Sequence, residues 1–292
     1  MNKNLKLLAL FGLALSLTYC SSNDDDSPST TNLDLNISGL ENLGTDYVYE
    51  GWIMVDGSPL TTGRFTVNDS GELSQSSFPM MSEDLSSATA FILTIEPAVG
   101  DDPAPSKTKL LAGDFSGDTG ALSISHAAAL GNNFETAAGE YILATPTNGS
   151  NNDENSGIWF LNLASGSPSV GLNLPTLPEG WKYEGWGVQG QPLTTGTFTM
   201  VDEADDFDGF SGTMSGPPFP GEDFLMNAPT GVSFPLDLAG GVAVISIEPY
   251  PDNSPAPFLL KPLVGNIPSD AMDHVTYSMS QNLNFPTGTA SR

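Results

Sequence analysis

The amino-acid sequence contains one pattern of residues twice. Residues 49–66 carry Tyr-Glu-Gly-Trp, Pro-Leu-Thr-Thr-Gly and Phe-Thr, and residues 183–199 carry the same three motifs in the same order. A second block, with Ile-Glu-Pro, Pro-Ala-Pro and a closing Gly, recurs at residues 95–113 and 247–265. Two copies of one folding unit account for this pattern, so any function must suit a unit that the chain uses twice.

Short strands are predicted throughout both copies. The 31 Gly and 23 Pro residues recur at intervals that break helices. Between them lie short runs rich in β-branched and aromatic residues, such as residues 49–55 and 242–247, and only residues 118–130 suggest a helix. The sequence therefore predicts an all-β protein with two tandem antiparallel β-sandwich, immunoglobulin-like domains at residues 33–167 and 168–292.

The first residues resemble a lipoprotein export signal. Two lysines precede an apolar run at residues 7–17, which is too short for a mature transmembrane helix. Residues 17–20 then resemble a bacterial lipobox, although Tyr19 stands where a small residue is usual. We expect residues 1–19 to be a lipoprotein signal peptide and Cys20 to be lipidated. An ordinary signal peptide is the alternative.

The segment after the lipobox is acidic and poor in residues that could pack. Residues 20–32 include three consecutive Asp residues, which predicts a disordered tether. An acidic stretch after a lipidated Cys resembles the surface-export tag of some Gram-negative lipoproteins, so we expect an envelope protein in the outer membrane, exposed at the cell surface. The formal charge of −27 argues against nucleic acid or an anionic lipid surface as a partner.

Each copy resembles the extracytoplasmic C-terminal domain of the anti-sigma-K factor family. The resemblance rests on aromatic-x-x-Trp, a Gly-x-Pro turn, Thr-x-Gly-x-Phe, and a strand that ends in Glu-Pro before a Pro-x-Pro turn. It covers most of residues 45–115 and 180–266. It implies a small β-sandwich outside the inner membrane that senses or binds another protein. That family holds its sigma factor through a cytoplasmic domain and a transmembrane helix. We find neither in this sequence and expect no anti-sigma activity.

The repeated motif residues have a functional and a structural interpretation. Trp52 and Trp186 could form an exposed aromatic pair that grips a sugar or peptide, or each could fill a sandwich core. Glu96 and Glu248 end matching strands and could form an acid–base pair. Alternatively, each accepts hydrogen bonds from the Pro-rich turn that follows it. Their duplication favours the structural interpretation, and we expect no catalytic residue.

The densest acidic segment is a candidate calcium site. Asp202, Asp205, Asp206 and Asp208 precede a Gly, and carboxylates in a Gly-containing loop are the hard oxygen ligands that Ca²⁺ prefers. The spacing departs from that of a standard calcium loop, and a solvated acidic loop is the alternative.

The sequence as a whole predicts a non-catalytic cell-envelope lipoprotein that acts as a protein-interaction or structural module. It would attach to the membrane through Cys20 and have an envelope protein as its partner. The alternative is a calcium-assisted carbohydrate- or adhesin-type binding protein. No cofactor besides calcium is expected.

Overall fold

The computed structural model describes residues 29–251 and 254–292. The predicted signal peptide and Cys20 lie outside these residues. The described chain is built from short strands: β1 (Thr30–Ser38), β2 (Tyr47–Val55), β3 (Ser58–Phe65), β4 (Ser77–Met81), β5 (Ala90–Pro97), β6 (Lys109–Ser116), β7 (Thr119–Ser123), β8 (Ala138–Leu143), β9 (Gly157–Trp159), β10 (Leu161–Asn162), β11 (Ser169–Val170), β12 (Leu172–Asn173), β13 (Trp181–Gln189), β14 (Gln191–Phe198), β15 (Gly221–Asp223), β16 (Val242–Pro249), β17 (Leu263–Asn266), β18 (Tyr277–Ser278), β19 (Ser280–Gln281) and β20 (Thr287–Ser291).

Helices are short and few within the described residues. They comprise one α-helix, α1 (Ser82–Ser87), and two 3-10 helices, Pro146–Asn148 and Glu154–Ser156. No described helix combines the length and the apolar character that crossing a membrane requires. The all-β prediction is confirmed.

Two local predictions were wrong. The helix suggested at residues 118–130 is not formed, because Gly117 turns the chain at φ +62° and β7 follows with alternating exposed and buried residues. The predicted tether also extends too far, since β1 begins at Thr30 and residues 30–34 pair with β4.

The first sheet contains eight antiparallel strands in the order β3-β2-β5-β6-β7-β20-β1-β4. Strand β20 comes from the second half of the chain and pairs with β7 on one side and with β1 on the other. Ala290 of β20 is fully buried between its register partners Leu35 and Gly120. The first sheet is therefore completed by a strand of the second copy, and the strand pairing crosses the predicted boundary at residue 167.

The second half repeats part of this strand order, and a strand of the first half pairs with it. One five-stranded sheet has the order β14-β13-β16-β17-β19, and its first four strands match β3, β2, β5 and β6. A separate sheet has the order β12-β8-β9-β15. Strand β8 then lies between β12 and β18. The Gly139 carbonyl accepts the Met279 N–H at 2.7 Å on one side, and the Glu140 N–H donates to the Gly171 carbonyl at 2.8 Å on the other. Each copy thus supplies a strand that pairs with strands of the other.

The two exchanged strands carry the same motif and occupy the same register. Asn-Phe-x-Thr precedes both, at residues 133–136 and 284–287. Relative to that motif, Gly139 matches Ala290, and the two residues pair with the matched leucines Leu172 and Leu35. The duplication visible in the sequence therefore extends to a reciprocal exchange of strands.

The matched phenylalanines of this motif meet each other. The ring centroids of Phe134 and Phe285 lie 5.7 Å apart. Contact between equivalent residues is a property of a two-fold arrangement, here within one chain. One continuous hydrophobic cluster includes buried residues of both copies.

A residue from the end of the first predicted domain packs against the hairpin of the second. A Cβ on Gly51 would approach the Phe91 ring to 2.9 Å, so this glycine lets the ring pack against the strand. In the second copy Ala243 stands at the position of Phe91. Phe160 fills the space instead, and a Cβ on Gly185 would approach its ring to 2.5 Å.

Candidate functional site

The two motif tryptophans are buried and matched. Trp52 is 3% exposed and Trp186 is 1% exposed. The indole N–H of Trp52 donates to Thr94 Oγ1 at 2.9 Å, and that of Trp186 donates to Ser246 Oγ at 2.7 Å. The structural interpretation is confirmed, and these residues do not form an exposed aromatic platform.

The two strand-end glutamates are also buried, and each serves its own turn. Glu96 Oε1 accepts the Ser106 N–H at 2.8 Å, and Glu248 Oε1 accepts the Phe258 N–H at 2.9 Å. Both donors lie in the Pro-rich turn that follows the strand. The predicted local role is confirmed in both copies.

A second pair of buried glutamates was not singled out by the sequence. Glu50 accepts hydrogen bonds from Thr61 Oγ1 at 2.5 Å and from Arg64 Nε at 2.7 Å. Glu184 accepts a hydrogen bond from the matched hydroxyl of Thr194. The repeated polar residues thus hold each hairpin together and are not available as a binding surface.

The copies differ most in the segment that follows the hairpin. This segment joins the hairpin β2–β3 to β5 in the first copy and the hairpin β13–β14 to β16 in the second. Only residues 66–89 separate β3 from β5, whereas residues 199–241 separate β14 from β16. The longer segment forms an open groove of about 580 Å³. The groove is lined by Thr147, Trp159, Ala204, Asp205, Asp206, Phe207, Asp208, Ser211, Gly212, Thr213, Met214, Ser215, Gly216, Pro217, Phe219 and Gly221. We call this surface the insertion groove.

Asp205 faces inward and ties two parts of the insertion together. Its Oδ2 accepts the Gly221 N–H at 2.8 Å, and its Oδ1 accepts the Phe207 N–H at 3.2 Å. Burial raises the pKa of Asp205 to about 8, and the nearby carboxylates of Glu222 and Asp206 act in the same direction. The side chain therefore carries a proton at neutral pH and serves as an internal brace.

Asp206 is held by donors from the hairpin. It accepts the Thr197 N–H at 2.8 Å, the Thr197 hydroxyl at 2.6 Å and Lys182 Nζ at 3.0 Å. Partial burial raises the pKa of Asp206, but the hydrogen bonds from Thr197 and Lys182 outweigh it and hold the pKa below its usual range.

The four predicted calcium ligands do not converge. Asp205 faces the interior and Asp206 binds Lys182, while Asp202 and Asp208 are exposed. Across residues 29–251 and 254–292, no three acidic, His or Cys side chains are arranged to hold a metal ion. Calcium binding stays a prediction.

Two adjacent carboxylates that the sequence analysis missed anchor the floor of the insertion groove. Glu222 and Asp223 are both fully buried on β15. Glu222 accepts the Ser211 hydroxyl, and also the Asp223 N–H at 2.9 Å. Burial raises the pKa of Glu222 to about 7, against the lowering effect of these hydrogen bonds.

Asp223 points to the other side of β15. It accepts the Trp159 indole N–H at 2.8 Å and the Thr147 N–H at 2.8 Å, and the Thr147 hydroxyl also donates to it. Burial raises the pKa of Asp223 in spite of these donors. Since an exposed turn can also contain Glu-Asp, no local sequence signal marked this pair as buried.

Comparison of the chain with protein-family models, with curated proteins and with solved structures found no match in any of the three. The resemblance to the anti-sigma-K factor domain therefore stays a prediction.

Proposed function

We propose that this protein is a non-catalytic, lipid-anchored binding module of the bacterial cell envelope, and that its partner binds the insertion groove. One observation carries the proposal. The repeated polar residues are used internally in both copies, whereas the insertion occurs in one copy and builds an open surface. Loops on a rigid β scaffold commonly carry binding functions.

The lining of the groove indicates the chemistry of the partner. Its ionisable residues are Asp205, which is protonated at neutral pH, Asp206, which pairs with Lys182, and the exposed Asp208. No Lys or Arg is among the lining residues, so the carboxylate of Asp208 is left to meet a cation. Phe207 and Met214 add apolar surface, and Met214 is 58% exposed. We therefore propose that the partner is an envelope protein that presents a segment with basic and apolar side chains. Complementary charge would speed encounter and select the partner.

The buried carboxylates support a non-catalytic role. Glu222 and Asp223 are fully buried and accept hydrogen bonds from the backbone or side chains of the insertion and its neighbours. A catalytic acid or base must reach the proton that it transfers. These groups serve to fix the groove instead.

The membrane anchor is tested separately. We propose that Cys20 carries the lipid, and Cys20→Ser should then release the protein from membranes or leave it as an uncleaved precursor. Cell fractionation followed by immunoblotting reads this out. Membrane association that survives the substitution as mature protein would reject the anchor.

Partner binding is tested by site-specific photocrosslinking in the native cells. A benzoylphenylalanine at Thr213 lies in the insertion groove, and one at Val99, which is 90% exposed, serves as the control in the first copy. We expect a discrete adduct from position 213 that is absent at position 99. Equal adducts at both positions, or none at 213, would contradict the proposed function.

A charge-matched pair of variants sharpens this experiment. Asp208→Lys reverses a carboxylate that lines the groove, while Asp202→Lys makes the same change in the same loop outside the lining. We expect the yield of the adduct from position 213 to fall in Asp208→Lys and to stay unchanged in Asp202→Lys. Equal loss in both would indicate a general charge effect instead of a site.

A further inference from the structure

We infer that the position between β1 and β7 in the first sheet, which we call the slot, also accepts β20 from a second copy of this chain. The product is a strand-exchanged dimer. This inference is independent of the insertion groove. It concerns the surface between β1 and β7, which β20 fills in the monomer.

The first step is that exchange between separate folding units is already present. Strand β20 pairs with β1 and β7 of the first copy, and β8 pairs with β12 and β18 of the second, in matching registers and next to the same Asn-Phe-x-Thr motif. Each slot is therefore built to receive a strand from outside its own repeat. A second chain offers the same strand with the same motif.

The second step is that the contacts of the donor strand lie in the first copy. Arg292 directly follows β20, and its guanidinium donates to the carbonyls of Leu85 at 2.8 Å, Ala88 at 2.5 Å and Gly117 at 3.1 Å. Its guanidinium also lies 4.6 Å from the centroid of the Phe115 ring. All of these partners would be regained if the donor came from another chain.

The third step concerns the connection between the donor and its own repeat. Residues 282–286 join β19 to β20, and Leu283 in this segment is 41% exposed. These residues can reach at most about 18 Å when extended. When a short hinge loop extends instead of turning back, the strand after it leaves its own chain and occupies the same position in a second copy.

The thermodynamic consequence is a dependence on concentration. The contacts within the slot are the same in monomer and dimer, so the main difference is the entropy lost on association. High local concentration, as on a membrane surface, favours the dimer.

The test uses two single-cysteine chains, each made in the Cys20→Ser background. Asn36 and Thr289 are register partners in β1 and β20, and both side chains are exposed. Chains with Asn36→Cys and chains with Thr289→Cys are mixed, co-refolded at high concentration and oxidised. Non-reducing electrophoresis should show a covalent heterodimer.

A mispaired control separates exchange from random collision. Ser280→Cys is also exposed but has no pairing with Asn36. We expect about tenfold more heterodimer with Thr289→Cys than with Ser280→Cys, because a disulfide requires Cα atoms within about 7 Å. Equal yields in the two mixtures, or monomers alone with Thr289→Cys, would overturn the inference.

Discussion

The two copies share a hairpin and differ in what covers it. In the first copy, Trp52 packs against Ile92, Ala112 and Ala129, so a segment that follows β7 closes over it. In the second copy, Trp186 forms part of the wall of a 440 Å³ groove, beside residues of the insertion and of the Pro-rich turn. The same buried motif thus supports a closed surface in one copy and an open one in the other. A repeat can therefore keep its core while the segments that cover it differ.

Charge is also handled differently by the two hairpins. Arg64 forms a salt bridge with Glu50 at 2.7 Å and pairs with Asp101. Thr197 stands at the position of Arg64 in the second copy, and Lys182 reaches across to Asp206 in the insertion. The first hairpin neutralises its own glutamate, whereas the second uses its cation to hold the loop that builds the groove.

The largest expected effect tests whether the two tryptophans are equivalent. Trp52→Ala and Trp186→Ala should each cost on the order of 3–5 kcal/mol of unfolding free energy, because both indoles are buried and hydrogen-bonded. Urea unfolding followed by circular dichroism measures this. A cost below about 1 kcal/mol at either position would mean that its indole contributes little to a core.

The next effect separates the two ways of handling charge. Arg64→Ala leaves the buried Glu50 without its cation and should cost about 2–3 kcal/mol. The matched Thr197→Ala should cost about 1 kcal/mol, since it removes a neutral hydroxyl. Equal costs would show that Arg64 contributes no more than a hydrogen bond.

The pH dependence of stability tests the insertion. Burial raises the pKa of Asp205 to about 8 and that of Glu222 to about 7. Between about pH 4 and these values, the folded chain binds protons that the unfolded chain releases. The stability from these groups is present at low pH and is lost as pH rises, with a slope of up to about 1.4 kcal/mol per pH unit for each group.

Substituting the brace should flatten that slope. Asp205→Asn removes one of the two titrating groups. The unfolding free energy of this variant should therefore fall less steeply between pH 5 and pH 8 than that of the parent protein. Urea denaturation at several pH values measures the slope. An unchanged slope would show that Asp205 does not titrate in this range.

A smaller effect should be the same in both copies. The hydroxyls of Thr62 and Thr195 are buried and have no hydrogen-bond partner within the described part of the chain. Thr→Val at either position should stabilise the protein by up to about 1 kcal/mol, because an unsatisfied buried hydroxyl is removed at nearly constant shape. A lower melting temperature in both variants would indicate that each hydroxyl has a hydrogen-bond partner.

The smallest expected effect concerns calcium. Asp205 and Asp206 already accept hydrogen bonds from the backbone, Thr197 and Lys182. We therefore expect millimolar Ca²⁺ to shift the melting temperature by less than about 1 °C, because little preformed affinity is available to stabilise the native state. A clear rise that a chelator reverses would support the calcium-assisted alternative.

Local features of the fold could be predicted from the sequence. The odd spacing of Tyr49 and Trp52 predicts opposite faces of one strand, and the two side chains do belong to different hydrophobic clusters. The role of Glu96 followed from the Pro-rich turn next to it. These successes share a cause, because each depends on residues that are close in sequence.

Non-local features escaped the sequence analysis. The pairing of β20 with β1 joins residues at opposite ends of the described chain, and strand periodicity does not specify which strand is the partner. The repeated Asn-Phe-x-Thr motif was a signal that could have revealed the exchange. The burial of Glu222 depends on the path of the insertion, which no local pattern fixes.

Hydrogen exchange of the intact chain tests the reciprocal strand exchange most directly. Terminal segments usually fray, and their amides then exchange rapidly. If β20 lies between β1 and β7, the amides that it pairs in the ladder should exchange as slowly as those of its two neighbours, as followed by mass spectrometry of proteolytic peptides. Rapid exchange throughout β20 alongside a protected β7 would contradict the account.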